Sequence, residues 1–271
     1  MLKRIDKDSK VLFSDEFQKD KYKFFLILQN LPSKDLLLYS DEENYIFCNG
    51  NRKFQTWVWT KDSFDKSLLN EIKEGLKLYR FEDSEAKFTC KKELYDLLKQ
   101  DNYDSFGDYY FEMGYLYCTA TKEPRKTDGY IELAKEEDKD LLSEFIYYES
   151  REIRDIQDLT WEESQKDFDK RLARGTYYVW KNDLGEIVSQ AFYSIVDGSA
   201  KVSGVYTPPR FRGKAYAANL IYVLTNRLLK EGYHVSLYTD YEYIPSNKAY
   251  QNVGYIDDDV LINFTCKSLK K

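Results

Sequence analysis

The sequence predicts a mixed α/β chain in two domains, the second built on a central mixed sheet flanked by helices. Three observations carry this. A chain of 271 residues, 42% hydrophobic and 32% charged, has the length and balance of one large or two modest globular domains. A polar stretch with Pro and Gly, TATKEPRKTDG at 119–129, lies between strand-like segments and divides the chain into 1–125 and 126–271. Beyond that stretch the apolar residues alternate between period 2 and period 3.6 in the order β-α-α-β-β-β-α-β-α-β.

Each element of the second half has its own signal. GYIELAKE is a short strand, and EEDKDLLSEFIYYESRE places Leu141, Leu142, Phe145 and Ile146 at helical spacing. Thr160 followed by Glu163 is a capping-box signature for a helix that buries Trp161, Phe168 and Leu172. TYYVWKND, EIVSQAFYSIVDG and AKVSGVYTP are strands separated by the turn-forming NDLGE and VDGS. A helix beginning near Gly213 sets Ala217, Leu220, Leu224 and Leu228 on one face and ends at Gly232. HVSLYTD, a short helix around SNKAYQNVG and a strand through VLINFTC complete the half. The unit AKVSGVYTP–helix–HVSLYTD is expected to be a right-handed crossover between parallel strands.

The first half is less regular. FFLILQNL, SLLNEIKEGLKLY and KKELYDLLKQD have helical spacing; LLLYS, NYIFCNGN, KFQTWVWT and GYLYCTA read as strands, with an Asn-Gly turn at 49–50. This order loosely echoes the second half and suggests a duplication.

The totals exclude several classes of function. A formal charge of −6 and a pI near 5.2 argue against a general nucleic-acid binder and suit a cationic partner such as an amine. The longest apolar run, FFLIL at 24–28, is too short to span a bilayer, and MLKRIDKDSK leads into no apolar stretch of a signal peptide. Cys48, Cys90, Cys118 and Cys266 are scattered with no CxxC pair, which argues against a zinc site and a secreted disulfide framework. A cytoplasmic protein is expected. His234 is the only histidine and opens a strand, so neither a catalytic triad nor a histidine-based metal site is expected. The tail KSLKK reads as a short basic end.

One stretch carries chemistry. In VYTPPRFRGKAYAANL, from Val205 to Leu220, Pro208 and Pro209 end the sheet ladder, because proline donates no backbone hydrogen bond. A helix N-terminus follows, with unpaired N–H groups and the positive end of the helix dipole. Gly213 and Ala215 keep side chains out of the way, and Arg210, Arg212 and Lys214 add positive charge. This is the chemistry of a pyrophosphate cradle. Neither G-x-x-x-x-G-K-[ST] nor G-x-G-x-x-G occurs, which excludes a Walker loop and a Rossmann fingerprint.

RFRGKA, with Arg210, Gly213 and Ala215, resembles motif A, [Q/R]-x-x-G-x-[G/A], of the GNAT superfamily of N-acetyltransferases. SNKAYQNVGY at 246–255 resembles that family's motif B segment, and the element order agrees. The resemblance covers 126–271 and implies a GNAT (acyl-CoA N-acyltransferase) fold there, with 1–125 as a degenerate GNAT-like α/β domain. It further implies an acetyl-CoA-dependent transfer to a primary amine by direct attack in a ternary complex. The pantetheine arm would pair with Val205, Tyr206 and Thr207, the pyrophosphate would lie on N–H groups from Phe211 to Ala215, and Asn247 would contact the cofactor. Tyr250 corresponds to the family tyrosine that protonates the departing thiolate. Many members carry a glutamate on the strand before motif A, and SAKVSGVYTP has no carboxylate. Asp240 and Glu149 are the alternative bases, both read as surface acids. The acceptor is expected to be a small-molecule amine, with no nucleic-acid or membrane partner and no metal. An acyl-CoA-binding module without turnover is the alternative function.

Overall fold

The computed structural model describes residues 1–51, 54–63, 66–79, 86–153 and 158–267; the last four residues of the basic tail lie outside them. The chain forms two compact units. The first holds Met1–Met113 and Val260–Lys271, the second Gly114–Asp259. The units therefore part at 113/114 rather than at the expected 125/126, and the last strand returns to the first unit.

In the first unit β1 (Lys3–Arg4) leads to α1 (Asp15–Asp20) and α2 (Phe25–Asn30). Then follow β2 (Leu37–Ser40), β3 (Tyr45–Asn49), β4 (Thr56–Thr60), α3 (Leu69–Leu78), β5 (Ala86–Lys91), α4 (Lys92–Gln100) and β6 (Phe106–Cys118), whose residues from Gly114 onward belong to the second unit. β2, β3 and β4 pair antiparallel, and β4 and β5 pair parallel through the α3 crossover. One face of this sheet buries Phe47, Val58 and Phe88 against Leu69, Ile72 and Leu76 of α3. Gly75 lets α3 lie flush on the sheet, because a Cβ there would stand 2.5 Å from the Phe47 ring. The Asn-Gly pair at 49–50 is not a two-residue hairpin turn: β3 and β4 are separated by a longer loop, and Gly50 is needed because Asn30 fills its side-chain space at 2.5 Å.

In the second unit β7 (Tyr130–Leu133), α5 (Lys139–Glu152), α6 (Trp161–Ala173), β8 (Tyr177–Lys181), β9 (Ile187–Val196) and β10 (Ser199–Tyr206) precede α7 (Tyr216–Lys230), β11 (His234–Asp240), α8 (Ile244–Val253) and β12 (Ile256–Cys266), whose residues from Val260 onward belong to the first unit. The order matches the sequence expectation. The first half, with β1, α1 and β5 added to what its sequence suggested, has the identical order, so the two halves are copies of one plan. β7, β8, β9 and β10 pair antiparallel in turn, β10 and β11 parallel, and β6 lies beside β11. The capping box is present: the Thr160 hydroxyl accepts from the Glu163 N–H at 3.2 Å, and the Glu163 carboxylate accepts from the Thr160 N–H at 2.9 Å. Phe168 is buried as expected, but Trp161 is 45% exposed, because it starts the helix outside the packed stripe. Two cores lie on opposite faces of this sheet. Leu220, Ile221, Leu224 and Leu228 of α7 pack on Ala200, Val202, Val235 and Leu237; Leu142, Phe145 and Phe168 of α5 and α6 pack on Tyr177, Val179 and Tyr206.

The stretch at 119–129, expected to be a linker, is part of the second unit and is pinned to it. The Lys122 N–H donates to the Val253 carbonyl at 2.7 Å, the Trp180 indole N–H to the Asp128 carbonyl at 2.9 Å, and the Tyr216 hydroxyl to the Asp128 carboxylate at 2.9 Å.

The exchange of last strands is the feature least visible in the sequence. Leu261 to Cys266 of β12 pair antiparallel with Lys91 to Ala86 of β5, and Phe264 stacks on Phe88 with ring centres 5.5 Å apart. Phe264→Ala should therefore destabilise the first unit by about 3–5 kcal/mol, the cost of emptying a buried aromatic site. Urea unfolding followed by probes in 1–113 checks this, and loss confined to residues 114–259 would contradict it.

Candidate active site between β10 and β11

The site starts where a ladder stops. β10 and β11 pair from Ser199 with His234 to Val202 with Leu237, yet β10 runs on to Tyr206 and β11 to Asp240. The strands part, leaving a wedge open toward their carboxyl ends. On its other edge β10 stays paired with β9, but its register shifts between Ser203 and Tyr206. Gly204 makes that bulge possible. Its φ is +61°, and a Cβ would stand 2.5 Å from the Phe192 ring and 2.7 Å from the Arg171 guanidinium.

The loop that follows turns tightly into α7. Pro209–Phe211 form a single 3₁₀ turn, and the Phe211 and Arg212 N–H groups donate within it, to Pro208 at 2.9 Å and Pro209 at 3.2 Å. The cradle expected over Phe211–Ala215 is thus narrower. Within this loop the N–H groups of Gly213, Lys214 and Ala215 have no backbone acceptor, and the first turn of α7 has no capping side chain. Gly213 has φ +75° and open space where a side chain would be; Ala215 holds φ +66°, an uncommon conformation for alanine.

The predicted cations divide. Lys214 and Arg210 are exposed, the latter over the Phe211 ring at 4.8 Å. Arg212 is committed: it donates to the Thr207 carbonyl at 2.8 Å and pairs with Glu152 of α5, fixing the loop to the helix. A cation that sequence reasoning missed stands beside the cradle, Arg125, which donates to the Gly213 carbonyl at 2.6 Å. Val205 packs against the α7-side core, and Thr207 donates to the Ser189 hydroxyl at 2.9 Å. Tyr206 is buried beside Glu152, and burial first, then that carboxylate, push its phenol up to about 12.

Tyr250 of α8 is 8% exposed, its ring 6.1 Å from that of Tyr255. Burial raises its phenol above the usual value and the Glu149 carboxylate raises it further, so Tyr250 stays protonated at any working pH. Asn247 is occupied. Its amide donates to the Asp240 and Tyr241 carbonyls at 3.1 and 2.9 Å and accepts from Thr239 at 2.9 Å, closing the turn between β11 and α8. A cofactor contact from this residue would compete with those bonds. Asp240 accepts from the Glu242 N–H at 2.9 Å in the same turn.

Glu149 is not a surface acid. It is 3% exposed at the last turns of α5 and accepts from Arg171 at 2.9 and 3.4 Å and from Gln190 at 2.8 Å. Arg171 also donates to Asp167 at 2.9 Å, and Tyr177 donates to Gln190 at 2.6 Å. This network lies directly under the Gly204 bulge. Sequence reasoning missed Arg171 and Gln190, which belong to no motif; Gly204, a glycine inside a strand pattern, was the available signal for the bulge.

The first unit has the same crossover but a different ending. Where its parallel strands finish, Lys91 of β5 is 4% exposed, pairs with Asp20 and Asp62, and lies 5.8 Å over the Trp59 ring of β4. Trp59 donates to Asp20 at 2.8 Å. Side chains bridge the position that stands open in the second unit.

Residues 142–255 match the family model described as Acetyltransferase (GNAT) family, so the second unit carries a GNAT-family domain. Solved structures share the fold along the whole chain. The GCN5-related N-acetyltransferase of Sphaerobacter thermophilus is 11% identical with a TM-score of 0.67, over 100% of this chain and 97% of that one. A GNAT-family acetyltransferase of Colwellia psychrerythraea is 12% identical with a TM-score of 0.60, over 98% and 100%. A tandem GNAT protein from the clavulanic acid biosynthesis pathway is 13% identical with a TM-score of 0.54, over 98% and 97%. No curated protein is a significant sequence match. At family level the chemistry is acyl transfer.

The buried network yields a test of its own. Arg171→Met leaves the Glu149 carboxylate buried without its counter-charge and should cost about 3–5 kcal/mol in denaturant unfolding. Adding Glu149→Gln should recover much of that loss; simple additivity of the two substitutions would mean the residues do not interact.

Proposed function

We propose that the second unit is an acetyl-CoA-dependent N-acetyltransferase that acetylates a small-molecule primary amine by direct attack in a ternary complex. The observation that carries this is the open wedge beyond Val202 and Leu237, where a bulged strand leads into a free N–H cradle; the buried Tyr250 phenol, in the α7-side core, stands at the sequence position that the resemblance gives to the acid. Residues 203–206 have a strand edge on the wedge side with no partner from β11, suited to the amide groups of a pantetheine arm. The N–H groups of Gly213, Lys214 and Ala215, at the positive end of α7, suit a pyrophosphate, with Arg125, Arg210 and Lys214 adding charge. The open space at Gly213 fits the same group.

The chain's residues then divide the work. A backbone N–H at the β10 bulge faces the thioester carbonyl and stabilises negative charge on its oxygen. Tyr250 donates its phenolic proton to the sulfur as the C–S bond breaks. Its raised phenol makes it a reluctant acid, so transfer is drawn by the positive charge that develops on the attacking nitrogen. Glu149 has two oxygens already engaged by Arg171 and Gln190, so it acts through its charge, favouring an ammonium group in the wedge and keeping Tyr250 protonated. Asp240, tied into its turn, is the weaker candidate for any proton transfer.

The missing strand carboxylate favours a second reading, a module that binds acyl-CoA without turnover. Calorimetry with acetyl-CoA and a thiol-release screen over diverse amines separate the two. Binding with CoA release supports the transferase, binding alone supports the module, and no binding removes both. For the transferase, Tyr250→Phe should lower kcat about 100-fold with little change in acetyl-CoA affinity, and Gly213→Glu should abolish binding. An equal loss of kcat and affinity in the Tyr250 variant would make it a packing residue.

A further inference from the structure

The strand that feeds the wedge has no carboxylate, but it does have one ionisable side chain before Tyr206. Ala200 and Val202 turn into the α7-side core, and Lys201 between them turns to the opposite face, the side of α5 and α6. It is 9% exposed. Lys201 pairs across the ladder with Ser236, one step before the ladder ends, and its Nζ reaches forward to lie 5.0 Å from the centre of the Tyr238 ring. Tyr238 is the first residue of β11 beyond the last pair. The Lys201 amine is thus carried to the apex of the wedge, where the two strands begin to part.

Resting on the transferase reading above, we propose that Lys201 is the proton acceptor for the amine substrate, in the place where a strand carboxylate is missing. Its surroundings suit the task. Arg174, at the end of α6, donates to Ser194 at 3.3 Å, and Ser194 is the cross-strand partner of Lys201. His234 lies on the same face of β11, kept below its ordinary value by burial, with Asp258 opposing, and its ring is 2.8 Å from the Tyr115 hydroxyl. Further along the same side are Glu149 and Arg171, paired with one another. Burial first, then the Arg174 charge, bring the Lys201 amine down to about 7, so near neutrality a large fraction is in the neutral form.

The balance is direct. The acceptor ammonium gives one proton to Lys201 Nζ and becomes a neutral amine. Its lone pair forms the C–N bond, the C–S bond breaks, and the sulfur takes the Tyr250 proton. The proton left on nitrogen returns to the Tyr250 oxygen through water, and Lys201 releases its own to solvent. The sum is ammonium plus acetyl-CoA giving amide, CoA thiol and one proton. Because the neutral amine is the working form, kcat/KM should rise as pH passes about 7 and level off above it.

The test is the pH profile of acetyl-CoA-dependent acetylation by the full chain, with the best amine from the screen. Lys201→Met should lower kcat/KM at pH 7 about 100-fold, remove the rise near neutrality and leave acetyl-CoA affinity unchanged by calorimetry. Lys201→Cys treated with 2-bromoethylamine restores an amine of lower basicity; the unaltered protein, whose four cysteines are buried, is treated in parallel, and mass spectrometry confirms a single added group at position 201. Activity should return with its rise displaced to lower pH. Should the variants fail to fold, the pH dependence of Lys201 acylation by acetic anhydride in the unaltered protein, read by mass spectrometry, should show half-reactivity near neutrality. Turnover by Lys201→Met with an unchanged acid limb, or a Lys201 that titrates with the surface lysines, overturns this assignment alone. Absence of turnover in the unaltered protein removes the transferase reading and this one with it.

Discussion

Two parallel strands joined by a helix are drawn together along their length by hydrogen bonds, and anything that is to enter between them needs that ladder to fail at a defined place. In the second unit it fails after Val202 and Leu237. The two prolines at 208 and 209 prevent β10 from resuming, and the bulge at Gly204 turns its backbone before they are reached. The loop that opens α7 follows directly on that gap, and Lys201 stands one step before it. The first unit shows the alternative outcome. The same crossover there ends in Lys91, Asp20, Asp62 and Trp59, whose ion pairs and ring contact close what the second unit leaves open.

Around the gap, charge is arranged rather than merely present. Glu149 and Arg171 are both nearly inaccessible, an arrangement that seldom adds net stability, since desolvation offsets most of the attraction. Its value here lies in position. The Arg171 guanidinium fills the space beside Gly204, and the Glu149 carboxylate reaches Tyr250 electrostatically from the other face of the sheet. A cation and an anion thus brace the bulge and tune the phenol at once.

Much of this was legible in the sequence. The order of elements in the second half, the capping box at Thr160, the parallel crossover and the Gly213 loop all follow from local patterns, because period, caps and turn residues are local properties. The residues of the 205–215 stretch lie together for the same reason. What was hidden depends on contacts between distant residues. Nothing near Glu149 in the chain announces Arg171 and Gln190, so it read as a surface acid. Residues 119–129 have the composition of a linker, yet Asp128 and Lys122 find partners as distant in sequence as Tyr216 and Val253. Asn247 matched a family position, but only the local geometry reveals that its amide is committed to the turn. Lys201 was passed over because a lysine in a strand is ordinarily a surface residue, and its burial is decided by neighbours from three other elements.

The return of β12 to the first unit has a consequence for how the chain reaches its fold. Residues 261–266 pair with 86–91, a separation of about 170 positions, whereas the helices and hairpins of each half close over short loops. During synthesis from the N-terminus, β5 must wait with one edge unpaired until residues 261–266 have emerged. An exposed strand edge is a template for the wrong partner, including β5 of another nascent chain. The two copies of the plan therefore mature together, and the rate at which the last strand arrives sets how long the first unit stays vulnerable.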